Sequence, residues 1–321
     1  MALRSSFAAQ PVKVSKLPAF RAEHFPSAGP FPWLDLPDAA ERIEAKLQAG
    51  EITRKEAEQC RFWAKNGYII VPRLFDPEVL DAVWAGYESA VSRGKIVLPP
   101  EPASPEDPYA GRYLNPHKKV GAFCRILKHP GLLQHLRVLM EREPKPLQTI
   151  ASHKGSQQGV HSDSIHMTTY PLGYLTAAWI AFEDIHPESG PLVYYPGSHK
   201  LPYVFSKDVG ISEEEYRSAG YRSYLDKYEP RVRELIAERQ LEPHYFHARK
   251  GDVLIWHANL LHGGSARKDM QFSRKAVVCH FFVKGSFVYH DLAAARSRQQ
   301  YMGTCLLRDE TGGFRRFGAK K

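Results

Sequence analysis

The segment KGDVLIWHANLLHGGSARKDMQFSRKAVVCHFF, residues 250–282, is the part of this 321-residue chain that decides the fold. It contains two apolar runs, DVLIWH and KAVVCHFF, and the residues between them are rich in glycine, serine and charge. Gly251-Asp252 predicts a tight turn before the first run, and HGGS predicts a loop after it. Apolar runs of this length between turn residues are typical of β-strands, so the segment predicts two strands of a sheet.

Further short runs of the same character precede this segment. From about residue 146 they read LQTIAS, YLTAAWIAF, PLVYY and HYFHA, separated by glycine, proline, aspartate and serine. We interpret each of them as a strand. A charged, helix-like insertion at residues 206–240 interrupts the series, and no internal repeat is visible.

The N-terminal part of the chain carries helix signals instead. A helix is expected over residues 38–48, and the pair Thr53 and Glu56 forms a capping box that predicts the start of a second. An Asn-Gly pair at 66–67 is a natural left-handed end for this helix, and the apolar run YIIVP after it predicts a strand. An Asp-Pro pair at 76–77 opens a third helix, with aspartate as the N-cap.

This order of elements predicts the fold class. Helices first and many short strands later indicate an α+β, mainly β fold, in which N-terminal helices flank an antiparallel barrel or sandwich. The length fits one large domain or two small ones, and we expect one domain over residues 1–321. Residues 1–36 are expected to form an arm over the body. The proline-rich segment 98–120 is expected to be irregular, as either a functional lid or a disordered loop.

Composition excludes several classes of protein. The chain is 43% hydrophobic, yet no run approaches the roughly 20 apolar residues that a membrane span needs. Its net charge of +9 attracts anions of every kind, but no basic ladder or helix-turn-helix pattern is present, so no nucleic-acid partner is expected. The four cysteines are far apart and form no CxxC pair, which favours a reducing, cytoplasmic setting.

A second stretch, QQGVHSDSIHMTTY at residues 157–170, carries residues that bind metals. On a strand, His161 and Asp163 project to the same face with Ser162 opposite. One imidazole and one carboxylate are two thirds of the facial triad that holds Fe(II) and leaves three coordination positions open. In a chain with 15 histidines such a pair also arises by chance, so an ordinary polar patch on a strand remains the alternative.

The third ligand has to come from a distant strand, and the segment 250–282 offers two histidines, His257 and His262. A basic residue beyond them adds a more specific signal. Iron oxygenases that use 2-oxoglutarate need a guanidinium for the remote carboxylate of this co-substrate, because the fork of arginine matches a carboxylate. Arg274 opens the strand RKAVVCHFF and suits this role, whereas Arg267 lies in the expected connecting loop.

Together these segments resemble the phytanoyl-CoA dioxygenase-like family of Fe(II)/2-oxoglutarate-dependent oxygenases. The blocks that carry the resemblance are KNGYIIVPRLFDPEVLDAVW at 65–84, HSD at 161–163, AAWIAFEDIHPESGPLVYYPGSHK at 177–200, KGDVLIWHANLLHGGS at 250–265 and RKAVVCHFF at 274–282. The resemblance covers roughly residues 60–285, with gaps at 98–120 and 206–240. It implies a double-stranded β-helix core, the jelly roll of cupin-like proteins.

The resemblance also implies roles for individual residues. It makes His161, Asp163 and His262 the iron ligands, leaves His257 as a non-ligand, and makes Arg274 the anchor of 2-oxoglutarate. The family often has H-G-S where this chain has H-G-G-S, so Ser265 replaces the usual co-substrate serine or that contact is lost. Lys154 or Ser152 is the candidate for a polar residue on the strand before H-x-D.

Four further residues are expected near the substrate: Trp179, His166, Thr168 and Tyr170. For Trp179, core packing competes with a place in the pocket wall. His166 would face away from the ligand pair if the strand continued, which makes it a pocket or surface residue.

The implied reaction uses Fe(II), 2-oxoglutarate and O2, releases succinate and CO2, and hydroxylates an unactivated C–H bond. The implied substrate is a small molecule, which the basic net charge favours as anionic or zwitterionic. The insertions 98–120 and 206–240 are expected to shape the substrate pocket. Desaturation, epimerisation or cyclisation at the same iron site is the first alternative, and a non-catalytic ligand-binding jelly roll is the second. Because halogenating relatives lack the carboxylate ligand, Asp163 disfavours halogenation.

Overall fold

A computed structural model describes residues 20–25, 29–99 and 111–293, together with the backbone of 306–308 and 314–316. Most of the predicted N-terminal arm and residues 100–110 of the predicted lid lie outside the described residues. Within the described part of the chain, no helix is both long and apolar enough to cross a membrane.

The N-terminal helices form where the sequence predicts them. They are α1 (Ala39–Gln48), α2 (Arg54–Asn66) and α3 (Pro77–Ser92). The capping box at the start of α2 is complete, since the Thr53 hydroxyl accepts from the Glu56 amide and the Glu56 carboxylate accepts from the Thr53 amide. Gly67 ends α2 with φ of 78°, a left-handed conformation that glycine adopts without strain.

Two further helices, which the sequence analysis did not predict, complete the helical layer. They are α4 (Phe123–Leu127) and α5 (Pro130–Met140). Later in the chain follow α6 (Glu213–Ala219) and α7 (Glu229–Glu238), with a π-helical turn at Tyr224–Tyr228 between them. The helices α1 to α5 share one apolar core with a face of the main sheet.

The strands form four antiparallel sheets within the described residues. In chain order they are β1 (Tyr68–Val71), β2 (Arg112–Leu114), β3 (Pro144–Ser152), β4 (Thr168–Tyr170), β5 (Leu175–Ala181), β6 (Leu192–Tyr194), β7 (His244–Phe246), β8 (Val253–His257), β9 (His262–Gly264), β10 (Ala276–Val283), β11 (Phe287–Tyr289), β12 (Leu306–Arg308) and β13 (Phe314–Arg316). The main sheet has the order β1-β8-β5-β10-β3-β2, and a smaller one has the order β7-β6-β9. Pairs β4-β11 and β12-β13 complete the set.

The main sheet is buried on both faces, and its alternating side chains show which layer each face meets. Ala178, Ile180, Ile255, Val277 and Cys279 lie on the face that packs on the helices. Ala177, Trp179, Leu254, Trp256 and Ala276 lie on the other face and pack with Leu192, Tyr194 and Phe246 of the smaller sheet. Burial on both faces explains why these strands read as continuous apolar runs. The architecture is the predicted jelly-roll core with helices on one side.

The insertion 206–240 is helical and covers the segments around the candidate ligands. Tyr224, Tyr228 and Val232 form an apolar cluster with Ile165 and Leu261. The Tyr228 hydroxyl accepts a hydrogen bond from the Ser162 amide at 3.2 Å, which fastens the π-helical turn to the backbone between His161 and Asp163. A π-helical turn often marks a functional site in a helix.

Loss of this hydrogen bond has a measurable cost. We expect Tyr228→Phe to lower the free energy of unfolding by roughly 1–3 kcal/mol, because the buried Ser162 amide loses its acceptor. Tyr224→Phe is the matched control, since the Tyr224 hydroxyl is buried with no hydrogen-bond partner among the described residues. Denaturant unfolding of both variants tests this, and equal destabilisation by the two would contradict it.

Candidate metal centre

Three side chains named from the sequence come together in the structure. His161 and His262 form an isolated antiparallel bridge, and Asp163 follows two residues later. The Asp163 Oδ1 atom lies 3.9 Å from His161 Nε2 and 3.6 Å from His262 Nε2. One ligand atom from each residue lies within 4.8 Å of the other two, and all three residues are buried. This is the spacing of ligands around one metal ion.

Backbone hydrogen bonds orient both imidazoles. His161 Nδ1 lies 2.8 Å from the Gly159 carbonyl, and His262 Nδ1 lies 2.9 Å from the Leu260 carbonyl. The carbonyl fixes the proton on Nδ1 in each ring, so each Nε2 keeps a lone pair for a metal. The Nε2 atoms point at Asp163, as the distances above show.

The local backbone differs from the continuous strand assumed for the face that His161 and Asp163 share. After the bridge at His161 the chain enters a 3-10 turn, Asp163–Ile165, and β4 begins only at Thr168. The Ser162 side chain points to Tyr228, whose hydroxyl donates to Ser162 Oγ at 3.4 Å, as expected for the spacer. The turn brings His166 back to the same cavity, with its ring centre 5.7 Å from that of His161. The expectation that His166 faces away assumed a continuous strand.

Two residues that the sequence analysis did not assign hold the carboxylate. The Trp256 indole donates to Asp163 Oδ2 at 2.8 Å, and His280 Nε2 lies 3.5 Å from the same oxygen. The second oxygen, Oδ1, is left facing the two imidazoles. Outer contacts of this kind fix the geometry of a ligand and raise metal affinity.

Burial and the neighbouring charges set the protonation of the three groups. Burial lowers the pKa of His161 to about 3, and the nearby His262 adds to this shift. Burial lowers the pKa of His262 as well, against the opposing effect of Asp163. Burial would raise the pKa of Asp163, but the imidazoles of His262, His280 and His161 outweigh it and hold this pKa below its ordinary value. Two neutral imidazoles and one carboxylate are the forms that bind a divalent metal.

The three groups open into a cavity of about 210 Å³ that also contains Arg274. Its described lining comprises Arg112, Leu114, Gln148, Ile150, Ser152, Ser156, Gln158, His161, Asp163, His166, Met167, Trp179, Leu192, Tyr216, Tyr221, Trp256, His262, Gly263, Gly264, Arg274, Val278, His280 and His290. Arg274 is 4% exposed, and its Nη1 donates to the Gly190 carbonyl at 2.8 Å. Its Nε atom is buried and meets no acceptor among the described residues. Trp179 lies against the guanidinium, 5.7 Å from ring centre to Cζ.

Other residues expected in the site lie elsewhere. Ser265 donates to the Pro191 carbonyl at 2.7 Å, and neither it nor Lys154 is among the described residues that line the cavity. Thr168 donates to the Ser164 carbonyl, and Tyr170 stacks on Phe25, so both point outside this lining. Trp179 serves both of the roles considered for it, since it packs in the core and lines the cavity.

His257 and Arg267, the alternatives for two of the roles, also lie outside the cavity. His257 Nε2 lies 3.1 Å from Asp35 Oδ2, on the side of the fold that carries α1. Arg267 donates to the Met270 carbonyl. Neither residue is among those lining the cavity.

The donor set fits iron. Two imidazole nitrogens and one carboxylate oxygen on one side of a cavity form the facial triad of non-haem Fe(II) oxygenases. The buried guanidinium in the same cavity, with an unused N–H group, fits the remote carboxylate of 2-oxoglutarate. Fold and site therefore define the class of Fe(II)/2-oxoglutarate-dependent oxygenases.

Comparison with known proteins identifies the family within this class. Residues 63–276 match the family profile described as phytanoyl-CoA dioxygenase (PhyH). The peroxisomal phytanoyl-CoA dioxygenase of Mus musculus is 25% identical over 248 residues, which cover 70% of this chain and 67% of the mouse protein. The chain belongs to the phytanoyl-CoA dioxygenase family and is a dioxygenase that uses Fe(II) and 2-oxoglutarate.

Solved structures share the fold at low sequence identity. The alpha-ketoglutarate-dependent carbocyclase SnoK from nogalamycin biosynthesis superposes with a TM-score of 0.56 at 17% identity, covering 75% of this chain and 88% of SnoK. EctD from S. alaskensis, solved with 2-oxoglutarate and 5-hydroxyectoine, gives 0.54 at 16% identity, covering 73% and 77%. Both support the jelly-roll assignment.

The indole contact to Asp163 gives a prediction about the metal. We expect Trp256→Phe to weaken Fe(II) binding by about 10–100-fold, because Asp163 loses the donor that holds its orientation. Trp63→Phe, at a buried tryptophan of α2 that is not among the described cavity-lining residues, controls for the loss of ring volume. Equilibrium dialysis against Fe(II) under nitrogen measures both affinities, and an unchanged affinity of Trp256→Phe would show that the contact does not support the ligand.

Proposed function

We propose that this enzyme hydroxylates an unactivated C–H bond of a small molecule, with His161, Asp163 and His262 as iron ligands and Arg274 as the anchor of 2-oxoglutarate. The observation that carries the proposal is the presence of the triad and the buried guanidinium in one cavity. A ligand-binding jelly roll without activity would not need three convergent donor groups, and a structural ion pair would not leave Arg274 Nε without an acceptor.

Each residue contributes a separate physical effect. Bound iron supplies the redox chemistry that couples decarboxylation of 2-oxoglutarate to oxidation of the substrate. The triad occupies one side of the site, which leaves the opposite side for co-substrate and O2. Arg274 holds the remote carboxylate by a charge-assisted hydrogen-bonded pair, and Trp179 covers the guanidinium. The three proposed ligands and Arg274 are buried, so little bulk water reaches them, which strengthens these interactions.

The choice of hydroxylation rests on the carboxylate ligand and on the family. Asp163 fills the position that halogenating enzymes leave to a halide, so halogenation is disfavoured. The structure of EctD, which contains 5-hydroxyectoine together with 2-oxoglutarate, supports hydroxylation. SnoK, named a carbocyclase, supports the alternative of a cyclisation or a related outcome at the same iron.

Labelled dioxygen separates these outcomes. A screen of candidate molecules for stimulated succinate release first supplies a substrate. The reaction under ¹⁸O₂ is then expected to place one labelled oxygen in an alcohol product and the other in succinate. Succinate release with a product that has lost two hydrogens and gained no oxygen would favour desaturation or cyclisation instead.

The cellular setting is also a proposal. Cys60 and Cys279 are buried and free, which supports a reducing compartment such as the cytoplasm. The mouse relative is named peroxisomal, so a peroxisome-like compartment is the alternative. Fractionation of the native host with an antibody against the chain distinguishes them.

We propose a small molecule as the partner, in line with the size of the cavity.

A further inference from the structure

The cavity has two ends, and the pairing of β3 with β10 defines them. Arg274, Val278 and His280 line the cavity from one face of the segment that leads into and forms β10. Opposite them, Ile150 pairs with Val278, and Gln148 pairs with His280. His280 contacts Asp163, so the metal centre lies at the His280 side, and Arg274 marks the other side.

The described lining contains two arginines, Arg112 and Arg274, which lie close to each other. Arg112 of β2 pairs with Ser152, which in turn pairs with Ala276 just after Arg274. The Arg112 side chain donates to Gln158 Oε1. Burial lowers the pKa of Arg274 to about 10, and the positive charge of Arg112 is the next cause, as expected for two guanidiniums that lie close together. Gln158 Nε2 in turn lies 3.3 Å from His161 Nε2, so the Arg112 guanidinium lies between Arg274 and the ligands, and Arg274 marks the end of the cavity proposed for 2-oxoglutarate.

The opposite side, beyond the ligands, contains aromatic and neutral polar groups. The His166 ring stacks with Tyr221 at 6.2 Å and meets His290 edge-on at 5.5 Å between ring centres. Tyr216 and Tyr221, both from the insertion, line the cavity here with Met167. Of the described lining residues, Asp163 is the single carboxylate, and it is a proposed iron ligand.

These groups offer hydrogen bonds without fixed charge. His290 Nδ1 accepts from the Ala293 amide at 3.2 Å, so the neutral ring carries its proton on Nε2 and can donate. Burial lowers the pKa of His290 to about 4, which agrees with a neutral ring. His166 Nε2 is buried and has no hydrogen-bond partner among the described residues. A buried polar atom of this kind requires a partner, and in an enzyme cavity a ligand supplies it.

We propose that the substrate segment next to the iron is uncharged and carries hydroxyl, ether or carbonyl oxygens, which His166 and His290 bind between the tyrosine rings. A charged group placed there would be buried among neutral rings, and among the described lining residues the nearest cation, Arg112, is already hydrogen-bonded to Gln158, so the burial is costly. Sugars, cyclitols and similar oxygen-rich neutral molecules meet this requirement. The inference rests on the proposed function, and it replaces the anionic or zwitterionic substrate expected from net charge.

Three glycosides with one ring and different charge test the inference. The probes are methyl β-D-glucopyranoside, its 6-carboxylate methyl β-D-glucopyranosiduronate, and the ammonium compound methyl 2-amino-2-deoxy-β-D-glucopyranoside. Ligand-observed NMR of the enzyme with 2-oxoglutarate, in the absence of O2, measures binding of each. We expect the neutral glycoside to bind at least about tenfold more tightly than either charged one, since a buried unpaired charge costs more than the 1.4 kcal/mol of one decade.

Tighter or equal binding of the carboxylate would overturn the inference and would assign Arg112 to the substrate. Failure of all three probes to bind at millimolar concentration would also overturn the inference. His290→Leu is expected to weaken binding of the neutral glycoside, because a hydrogen-bond donor is lost, whereas His247→Leu, at an exposed histidine, is expected to leave it unchanged. Binding of Fe(II) and 2-oxoglutarate in the same samples reports on the proposed function independently, so failure of one is distinguishable from failure of the other.

Discussion

His262→Gln is expected to reduce Fe(II) affinity by at least about 100-fold. Removal of a residue that only hydrogen-bonds to a metal ligand lowers metal affinity about 10–100-fold, and removal of the ligand itself lowers it further. The Nε2 atom of His262 lies 3.6 Å from Asp163 Oδ1, and its ring is already oriented by the Leu260 carbonyl. Succinate formation is expected to disappear with the metal. Equilibrium dialysis with Fe(II) and an assay of succinate from 2-oxoglutarate measure the two effects.

His257→Gln is the control for this variant. His257 is as buried as His262 and lies five residues before it, but it contacts Asp35 and is not among the cavity-lining residues. The sequence alone left both histidines open as the third ligand. Iron binding is expected to persist in His257→Gln. Loss of iron in this variant, with retention in His262→Gln, would reverse the assignment.

Arg274→Lys is expected to raise the KM for 2-oxoglutarate by roughly 10–100-fold while kcat changes much less. Lysine keeps the charge but loses the fork that binds both oxygens of a carboxylate, and a hydrogen bond to a charged group contributes about 1.5–3 kcal/mol. Loss of an interaction made equally in the ground and transition states raises KM alone. Steady-state kinetics with varied 2-oxoglutarate measures the change.

Arg267→Lys is the matched control, since Arg267 is a buried arginine of the same segment. Its side chain donates to the Met270 carbonyl and is not among the cavity-lining residues. The KM for 2-oxoglutarate is expected to stay close to that of the wild type. A larger rise of the KM in Arg267→Lys than in Arg274→Lys would show that Arg267, and not Arg274, binds 2-oxoglutarate.

Local signals in the sequence predicted much of the fold. The apolar runs become the strands β3, β5, β6, β7, β8 and β10, because each is bounded by turn residues. Capping residues place the starts of α2 and α3. The helices α4 and α5 were missed, although Pro130 at the first turn of α5 is a helix signal. The short strands β4, β9 and β11 form through pairing with distant segments, which no local pattern reveals.

The candidate site was predictable only where residue type and spacing carry the chemistry. An imidazole and a carboxylate two residues apart, His161 and Asp163, indicate a metal site, and Arg274 indicates a carboxylate co-substrate. The resemblance to the family then selected His262 over His257. Trp256 and His280 contact Asp163 from strands that are distant in sequence, so their roles depend on the sheet register. Their position on the cavity side of β8 and β10 could have indicated them. The 3-10 turn Asp163–Ile165 brings His166 into the cavity. The expectation that His166 faces away relied on the two-residue periodicity of a strand, which this turn interrupts.

Anaerobic addition of Fe(II) and then 2-oxoglutarate to the purified protein tests the central claim most directly. The arrangement of His161, Asp163 and His262 around one position, with Arg274 in the same cavity, predicts a weak visible charge-transfer band that requires both additions. The band is expected to be absent in His262→Gln and present in His257→Gln. Absence of the band from the wild-type protein at saturating Fe(II) and 2-oxoglutarate would contradict the account.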